Sequence, residues 1–203
     1  MELEKDKDLA TWDLGKIAGT DQTEEAQSAI NDKLINNPNE KIGGTGESFN
    51  EFQKRVLDCV RHYVKIVPPN IIIVTHNTVF GLIKLWDKMG RPETLDKEFR
   101  EIYSKQDSEP SDSFTIKNEK DGKVYVVRHG ETEDNKDGKF RTDEAKLTPK
   151  GEAQAERLGR KFKNIRVPKI ISSPLHRAVE TANIIIKDQS RERPVKKMIN
   201  ATR

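Results

Sequence analysis

The sequence has little of several features that mark particular classes of protein. One cysteine, Cys59, occurs in 203 residues, so neither an intramolecular disulfide nor a cysteine-built metal site is expected. No apolar run approaches the roughly 20 residues of a membrane span. The opening residues, MELEKDKD, are charged and polar, unlike a signal peptide. These absences predict a cytoplasmic protein with no membrane partner.

Aromatic residues and net charge are also sparse. Aromatics make up 6% of the chain, and 37 lysines and arginines nearly balance 34 aspartates and glutamates. A nucleic-acid binder would need a one-sided basic surface and aromatics for stacking, so no nucleic-acid partner is expected. The apolar share is only 33%, but dense apolar runs such as Ile71–Val74 and Val124–Val127 predict a folded protein with a thin core.

Hydrophobic periodicity predicts helices that alternate with short apolar strands. Helices are expected over 23–35, 48–67, 77–89, 92–105, 148–164 and 173–187, and strands over 71–75, 114–117, 123–127 and 169–172. This alternation predicts an α/β fold, a three-layer α/β/α sandwich whose central sheet is mostly parallel. The length suits a single domain over 1–203. Residues 1–8 are expected to be frayed.

Three helix starts carry local signals. Ser48 and Glu51 have the spacing of a capping box, in which the hydroxyl and the carboxylate each satisfy a first-turn amide. Thr148–Pro149 and Ser173–Pro174 each place a capping residue before a proline, which suits the first position of a helix.

Polar, chemistry-bearing residues follow three of the predicted strands. These are Arg128 and His129, His76 and Asn77, and the segment that leads to Arg177. Ligands of parallel α/β sheets bind at the carboxyl ends of strands, where helix amino termini favour an anion. Two guanidinium groups and imidazoles suit a phosphoryl group better than a carboxylate. The other two histidines have simpler interpretations, His62 within a helix and His176 on a helix surface.

The strand that ends in Arg128-His129-Gly130-Glu131-Thr132, with Asn135 six positions after the histidine, resembles the signature of the histidine phosphatase (phosphoglycerate mutase-like) superfamily. The resemblance covers nearly the whole chain. Further matching blocks are Leu147-Thr148-x-x-Gly151-x-x-Gln154-Ala155, Ser172-Ser173-Pro174-Leu175-x-Arg177-Ala178-x-x-Thr181-Ala182, Gly46-Glu47-Ser48-Phe49 with Arg55, Ile73-Val74-Thr75-His76-Asn77, and Leu9–Gly19.

The blocks stand in an unusual order. In that superfamily the Arg-His-Gly block lies near the amino terminus, whereas here it follows the block of the second histidine. The resemblance implies a circular permutation, in which 9–117 correspond to the family's C-terminal part, 123–187 to its N-terminal part, and 117–122 to a joining linker. Permutation requires old ends that lie close together. We therefore expect residues 1 and 203 to be neighbours on the surface, and 114–127 to form two adjacent strands.

The resemblance implies a metal-independent phosphomonoesterase that needs no cofactor. His129 would attack phosphorus and carry the phosphoryl group, while Arg128, Arg177 and His76 would hold its oxygens. The residues assigned to substrate binding are Asn135, Asn77, Glu47 and Thr132. The expected substrate is a phosphorylated small molecule or a phosphoprotein.

The general acid departs from the family pattern, because Thr11 stands where a glutamate is expected. Asp13 is the preferred replacement and Glu47 the second choice, if burial raises the pKa of either carboxyl. The other interpretation is that no strong acid is present, which favours good leaving groups such as aryl phosphates or phosphohistidine. The short, polar segment 22–45, expected to cover the site, favours hydrolysis over a mutase reaction.

A second class of function stays open from the sequence. A binding module would keep the phosphate pocket for a phosphorylated partner, with catalysis weakened by the missing acid. Binding alone needs no nucleophile, so the intact set of arginines and histidines favours the enzyme. The sequence carries no signal for the oligomeric state or the substrate's identity.

Overall fold

A five-stranded sheet forms the centre of the computed structural model, which describes residues 1–66, 70–119, 121–134, 140 and 143–190. The strands are β1 (Glu2–Lys5), β2 (Asn70–Thr75), β3 (Ser113–Lys117), β4 (Lys123–Arg128) and β5 (Lys169–Ser172). Their order across the sheet is β1-β5-β2-β4-β3. Neighbours are parallel except β3, which runs antiparallel to β4 at one edge. The predicted mostly parallel sheet is confirmed.

Within the described residues, six α-helices of seven or more residues lie along this sheet. They are α1 (Glu24–Asn36), α2 (Phe49–Ile66), α3 (Asn77–Lys88), α4 (Lys97–Tyr103), α5 (Pro149–Phe162) and α6 (His176–Ser190). The capping box predicted for α2 is present: Glu51 N donates to Ser48 Oγ over 3.2 Å, and Ser48 N donates to Glu51 Oε2 over 2.9 Å. Thr148 caps α5 by accepting from the amide of Gly151. Local side-chain chemistry therefore sets these starts, as expected.

The central strand β2 buries both of its faces. Ile71 and Ile73 join an apolar cluster with α2, α3 and α4, while Ile72 and Val74 join a second cluster with α5 and α6. Successive side chains of a strand point to opposite faces, so a continuous apolar run needs cover on both sides. The result is the predicted α/β/α sandwich.

The amino terminus differs from the expectation of a frayed start. Residues Glu2–Lys5 form the edge strand β1, parallel to β5. Lys169 of β5 holds Glu4 by an ion pair of 2.6 Å, and the Tyr63 hydroxyl donates to Glu4 and Asp6. The segment is too polar for an apolar run to reveal it. Main-chain pairing and charge contacts with distant residues hold it in place.

A tight connection joins β3 to β4. Asn118 N donates to Gly122 O over 3.0 Å, and Gly122 N returns a bond to Asn118 Oδ1 over 2.6 Å. The two strands predicted within 114–127 are therefore adjacent in the sheet. The expected proximity of residues 1 and 203 involves the segment 191–203, which lies outside the described residues.

No helix within the described ranges combines the length and the apolar character needed to cross a lipid bilayer.

Candidate active site

The predicted reactive residues converge at the carboxyl ends of three neighbouring strands. His76 follows β2, Arg128 ends β4 with His129 directly after it, and Arg177 lies in the first turn of α6, beyond β5. Because β5, β2 and β4 are adjacent and parallel, these ends share one edge of the sheet. The structure therefore brings together four of the five residues that the sequence assigned to catalysis.

His76 is held at both ring nitrogens. The Arg177 Nε donates to His76 Nδ1 over 3.2 Å, and His76 Nε2 lies 2.7 Å from Ser173 Oγ. A guanidinium nitrogen only donates, so Nδ1 is the acceptor and the imidazole proton is on Nε2. His76 is therefore the neutral Nε2–H tautomer, with its proton directed at Ser173.

His129 has the opposite tautomer. Its Nδ1 lies 2.6 Å from the carbonyl oxygen of Gly130, which only accepts, so Nδ1 carries the proton. Nε2 then keeps its lone pair, which is the requirement for attack on phosphorus. The ring is fully buried, and its centroid lies 5.2 Å from that of His76.

Main-chain contacts fix the position of His129. Its amide donates to Thr75 O over 2.9 Å, and the next amide, of Gly130, donates to Thr181 Oγ1 over 3.2 Å. A Cβ on Gly130 would collide with the backbone of Gly151 in α5, so glycine is required for this close approach. Thr181, quoted only as part of a sequence block, therefore helps to orient the histidine.

The two arginines of the site are desolvated cations. Arg128 is 4% exposed and Arg177 is fully buried. Burial lowers the pKa of Arg128, against the opposite effect of nearby Asp107, and burial lowers the pKa of Arg177 to about 10. Both side chains remain protonated at neutral pH. Two buried positive charges at one sheet edge favour an anion there.

Asn77 contacts protein groups at both ends of its amide. Its Oδ1 accepts from Arg128 Nη1 over 3.3 Å and from Ser108 Oγ over 2.6 Å, while Nδ2 donates to Asp107 Oδ1 over 3.0 Å. The sequence assigned this residue to substrate binding. In the structure its side chain contacts the Arg128 guanidinium, which also lies 3.8 Å from Asp107, and a role in substrate binding stays a prediction.

A cavity of about 670 Å³ opens beside Arg128. The apolar and aromatic residues that line this cavity include Trp12, Leu14, Ile30, Leu34, Tyr103 and Phe140. Ile30 and Leu34 belong to α1, so the segment 22–45 does cover the site. The volume is sufficient for a small phosphomonoester. Arg128 belongs both to this cavity and to the group of reactive residues, and thus connects the two.

Asp13 and Glu47 do not line the cavity. Asp13 is exposed, and its carboxylate accepts from the amide of Gly15 over 2.8 Å. Glu47 forms a two-point ion pair with Arg55, at 2.6 Å and 2.7 Å. This geometry does not support Asp13 as the general acid, or Glu47 as an acid or a substrate ligand. Glu47 Oε2 also accepts from the amide of Asp13 over 3.3 Å, so both carboxylates are engaged by protein groups.

Thr11 lines the cavity at the position where the family pattern has a glutamate. Its hydroxyl lies 3.1 Å from that of Thr78. Carboxylates among the described cavity walls come from other places in the chain, namely Asp107, Glu109, Glu131 and Asp134. Asp107 and Glu109 follow the helix predicted over 92–105, and the sequence offered no signal that this segment reaches the site.

The remaining two residues assigned to substrate binding are Thr132 and Asn135. Thr132 is fully buried and pairs with Leu147 through an isolated β-bridge, so it joins the end of β4 to the start of α5. Asn135 lies outside the described residues.

In the sequence, Ser173 belongs to a predicted helix cap and to a family block, without an assigned role in the site. The helix α6 begins at His176, later than expected, and Ser173 Oγ accepts from Leu175 N over 3.3 Å. The hydroxyl is fully buried against His76. His62 and His176, in contrast, are exposed residues of α2 and α6, as expected.

Comparison with known proteins places these residues in a family. The profile of the histidine phosphatase superfamily (branch 1) matches residues 1–103 and 124–198. Similar curated proteins include those named probable phosphoglycerate mutase GpmB from Salmonella choleraesuis, Salmonella arizonae and Salmonella newport. Each is 43% identical over 63 residues, which are 30% of this chain and 29% of the relative.

The alignment thus spans less than a third of the length of these relatives, and no solved structure matches. The profile, in contrast, covers most of the chain in two segments. Together with the histidines and arginines assembled at the carboxyl ends of β2, β4 and β5, this match shows that the chain belongs to the histidine phosphatase superfamily, whose members use a phosphohistidine intermediate.

Proposed function

We propose that this protein is a metal-independent phosphomonoesterase that forms its phosphohistidine on His129. The observation that carries the proposal is the bond from His129 Nδ1 to Gly130 O, because it leaves the Nε2 lone pair for the phosphorus atom. The substrates would be phosphorylated small molecules or phosphoproteins.

The reaction would proceed in two displacements. In the first, a bond forms between Nε2 and phosphorus while the ester P–O bond breaks, and the leaving group departs as an oxyanion that takes up a proton from water. The imidazole gains positive charge, which the Gly130 carbonyl stabilises through Nδ1–H. In the second, water attacks phosphorus, the P–N bond breaks, and inorganic phosphate leaves with His129 neutral again.

Arg128 and Arg177 would stabilise the charge on the phosphoryl oxygens. Both cations are already buried, so little reorganisation is needed when the anion arrives. The contact between Arg128 and Asn77 fixes the guanidinium at the cavity wall. The substrate's leaving group would then lie in the cavity lined by Trp12 and Tyr103.

The ease with which the leaving group departs determines which classes of phosphate ester this site can hydrolyse. Thr11 at the expected acid position cannot supply a proton at neutral pH, so phosphate esters with good leaving groups would react fastest. This supports hydrolysis of aryl phosphates over alkyl phosphates. The names of the relatives suggest a mutase as the second candidate, and its support is limited to the short aligned segment.

The test is hydrolysis of 4-nitrophenyl phosphate in excess EDTA by the wild type, His129→Ala and His62→Ala. The exposed His62 is the matched control for loss of an imidazole. We expect turnover in the wild type and in His62→Ala, and none in His129→Ala. Stoichiometric labelling of His129 without release of phosphate would instead support a binding module. Transfer of the label to phosphoglycerate faster than to water would support a mutase.

We further propose that the two halves of the superfamily domain are permuted in this chain, within one domain over 1–203. The block ending in His129 follows the block ending in Asn77, and the profile matches two segments on either side of 104–123. The hairpin of β3 and β4 supplies the connection. A chain with residues 123–203 placed before 1–117 should fold and retain phosphatase activity. If the rearranged chain does not fold, the result counts against the proposed permutation.

A further inference from the structure

The hydroxyl of Ser173, in the interior of the site, accepts hydrogen bonds from its protein neighbours and can still donate one. The residue is fully buried between β5 and α6. Its Oγ lies 2.7 Å from His76 Nε2 and 3.3 Å from the amide nitrogen of Leu175. Within the described part of the chain these are the hydrogen bonds of its hydroxyl oxygen.

The direction of these bonds follows from Arg177. Because the Arg177 Nε donates to His76 Nδ1, the imidazole proton is on Nε2 and is donated to Ser173 Oγ. The Leu175 amide donates to the same oxygen. Both lone pairs of the hydroxyl are then occupied, and its own proton must be directed at a third group.

A bound phosphoryl group is the acceptor that this arrangement suits. The His76 ring packs edge-on against His129, with 5.2 Å between centroids, and its Nε2 contacts Ser173, so His76 links the hydroxyl to the nucleophile. A buried hydroxyl without an acceptor is costly, and a phosphoryl oxygen would relieve that cost when the substrate binds.

We propose that Ser173 is a further catalytic residue, whose O–H donates a hydrogen bond to a non-bridging oxygen of the phosphoryl group. His76 acts through Ser173: it fills one lone pair of the hydroxyl and strengthens the remaining O–H as a donor. No proton is transferred and no covalent bond changes in this contact. The inference rests on the proposed phosphatase function for its kinetic part only.

The kinetic test compares Ser173→Ala with Ser172→Ala. Ser172 is the matched control because it is also fully buried, and its hydroxyl donates its proton to Ser173 O. We expect Ser173→Ala to lower kcat for 4-nitrophenyl phosphate about a hundredfold, with a smaller change in KM, and to weaken inhibition by orthovanadate. Ser172→Ala should keep kcat within about threefold. A Ser173→Ala enzyme with wild-type kcat and vanadate affinity would overturn the proposal.

A spectroscopic test needs neither activity nor a substituted Ser173. In protein labelled with 15N-histidine, long-range NMR couplings report which ring nitrogen carries the proton, and His76→Gln assigns the signals. We expect His76 to be neutral with the proton on Nε2 at pH 7. A proton on Nδ1 would overturn the inference even if His129 proves to be the nucleophile. A missing phosphatase activity with the expected tautomer would instead count against the proposed function.

Discussion

Arg177 donates a hydrogen bond from Nε to Nδ1 of His76 over 3.2 Å, although 101 residues separate the two along the chain. Both residues are fully buried. The contact joins the end of the central strand β2 to the first turn of α6. It decides where the His76 proton lies and therefore the direction of the hydrogen bond between His76 and Ser173.

Replacing Arg177 with lysine should separate charge from geometry. The planar guanidinium of Arg177 can contact His76 through Nε and at the same time present its other nitrogens to phosphate. Arg177→Lys keeps the positive charge but loses this planar group. We expect kcat for 4-nitrophenyl phosphate to fall about a hundredfold. Arg160→Lys, on the exposed face of α5, is the control and should retain wild-type turnover. Equal kinetics for Arg177→Lys and the wild type would show that charge alone is required.

Restoring an acid at position 11 should broaden the range of substrates. Thr11→Glu places a carboxyl at the cavity wall, where it can protonate a poor leaving group. We expect kcat/KM for alkyl phosphates such as glycerol 2-phosphate to rise at least about tenfold, with a smaller effect on 4-nitrophenyl phosphate. Thr11→Gln, similar in size but not acidic, should give no such gain. An equal effect of both variants would indicate a change of shape rather than proton donation.

The ion pair of Glu47 and Arg55 should contribute to stability. The Arg55 guanidinium also donates to the carbonyl oxygens of Asp8, Ala10 and Thr11, so it holds the segment that leads to the cavity. Arg55→Met leaves those carbonyls and a largely buried carboxylate without their cation.

We expect Arg55→Met to lower the free energy of unfolding by about 3 kcal/mol, measured by urea denaturation. Lys54→Met, which removes an exposed ion pair with Asp58, should cost less than about 1 kcal/mol. Similar losses for the two variants would refute the structural role of Arg55.

The attachment of β1 to β5 should be sensitive to acid. The hydrogen bond from Lys169 lowers the pKa of Glu4 below its ordinary value, and the Tyr63 hydroxyl acts in the same direction. A carboxyl whose pKa is lowered by folding stabilises the folded state above its unfolded pKa. That contribution is lost as the pH falls through the folded pKa.

Urea denaturation at a series of pH values tests this contribution. We expect Glu4→Gln to reduce the loss of stability between about pH 5 and pH 3 relative to the wild type. Lys169→Met should remove most of the same dependence, and the double variant should add little. Independent, additive effects of the two substitutions would show that the pair is not coupled.

Much of the fold could be predicted from local sequence signals. The apolar run Ile71–Val74 indicated a strand buried on both faces, and Ser48 with Glu51 indicated the start of α2. Such signals involve groups within three or four residues of one another, and the chemistry they need is complete in the local sequence. The strand β1 was missed because its stability comes from Lys169 and Tyr63, which are distant in the chain.

The site was predictable in its residue types but not in its contacts. Strand ends placed His76, Arg128, His129 and Arg177 together, because parallel strands share the edge at which they terminate. The contacts of Asn77 and Glu47 were not predictable, since their partners depend on loops whose paths the local sequence does not specify.

The sequence by itself determined the secondary-structure elements, the family and the set of reactive residues at one edge of the sheet. Only the tertiary structure decided which polar atoms already form hydrogen bonds with other protein groups. A hydrogen bond depends on atoms meeting within about 3 Å. Chain spacing does not encode that distance for residues as far apart as Ser173 and His76. The tautomers of both histidines, and the donor proposed for Ser173, follow from those distances.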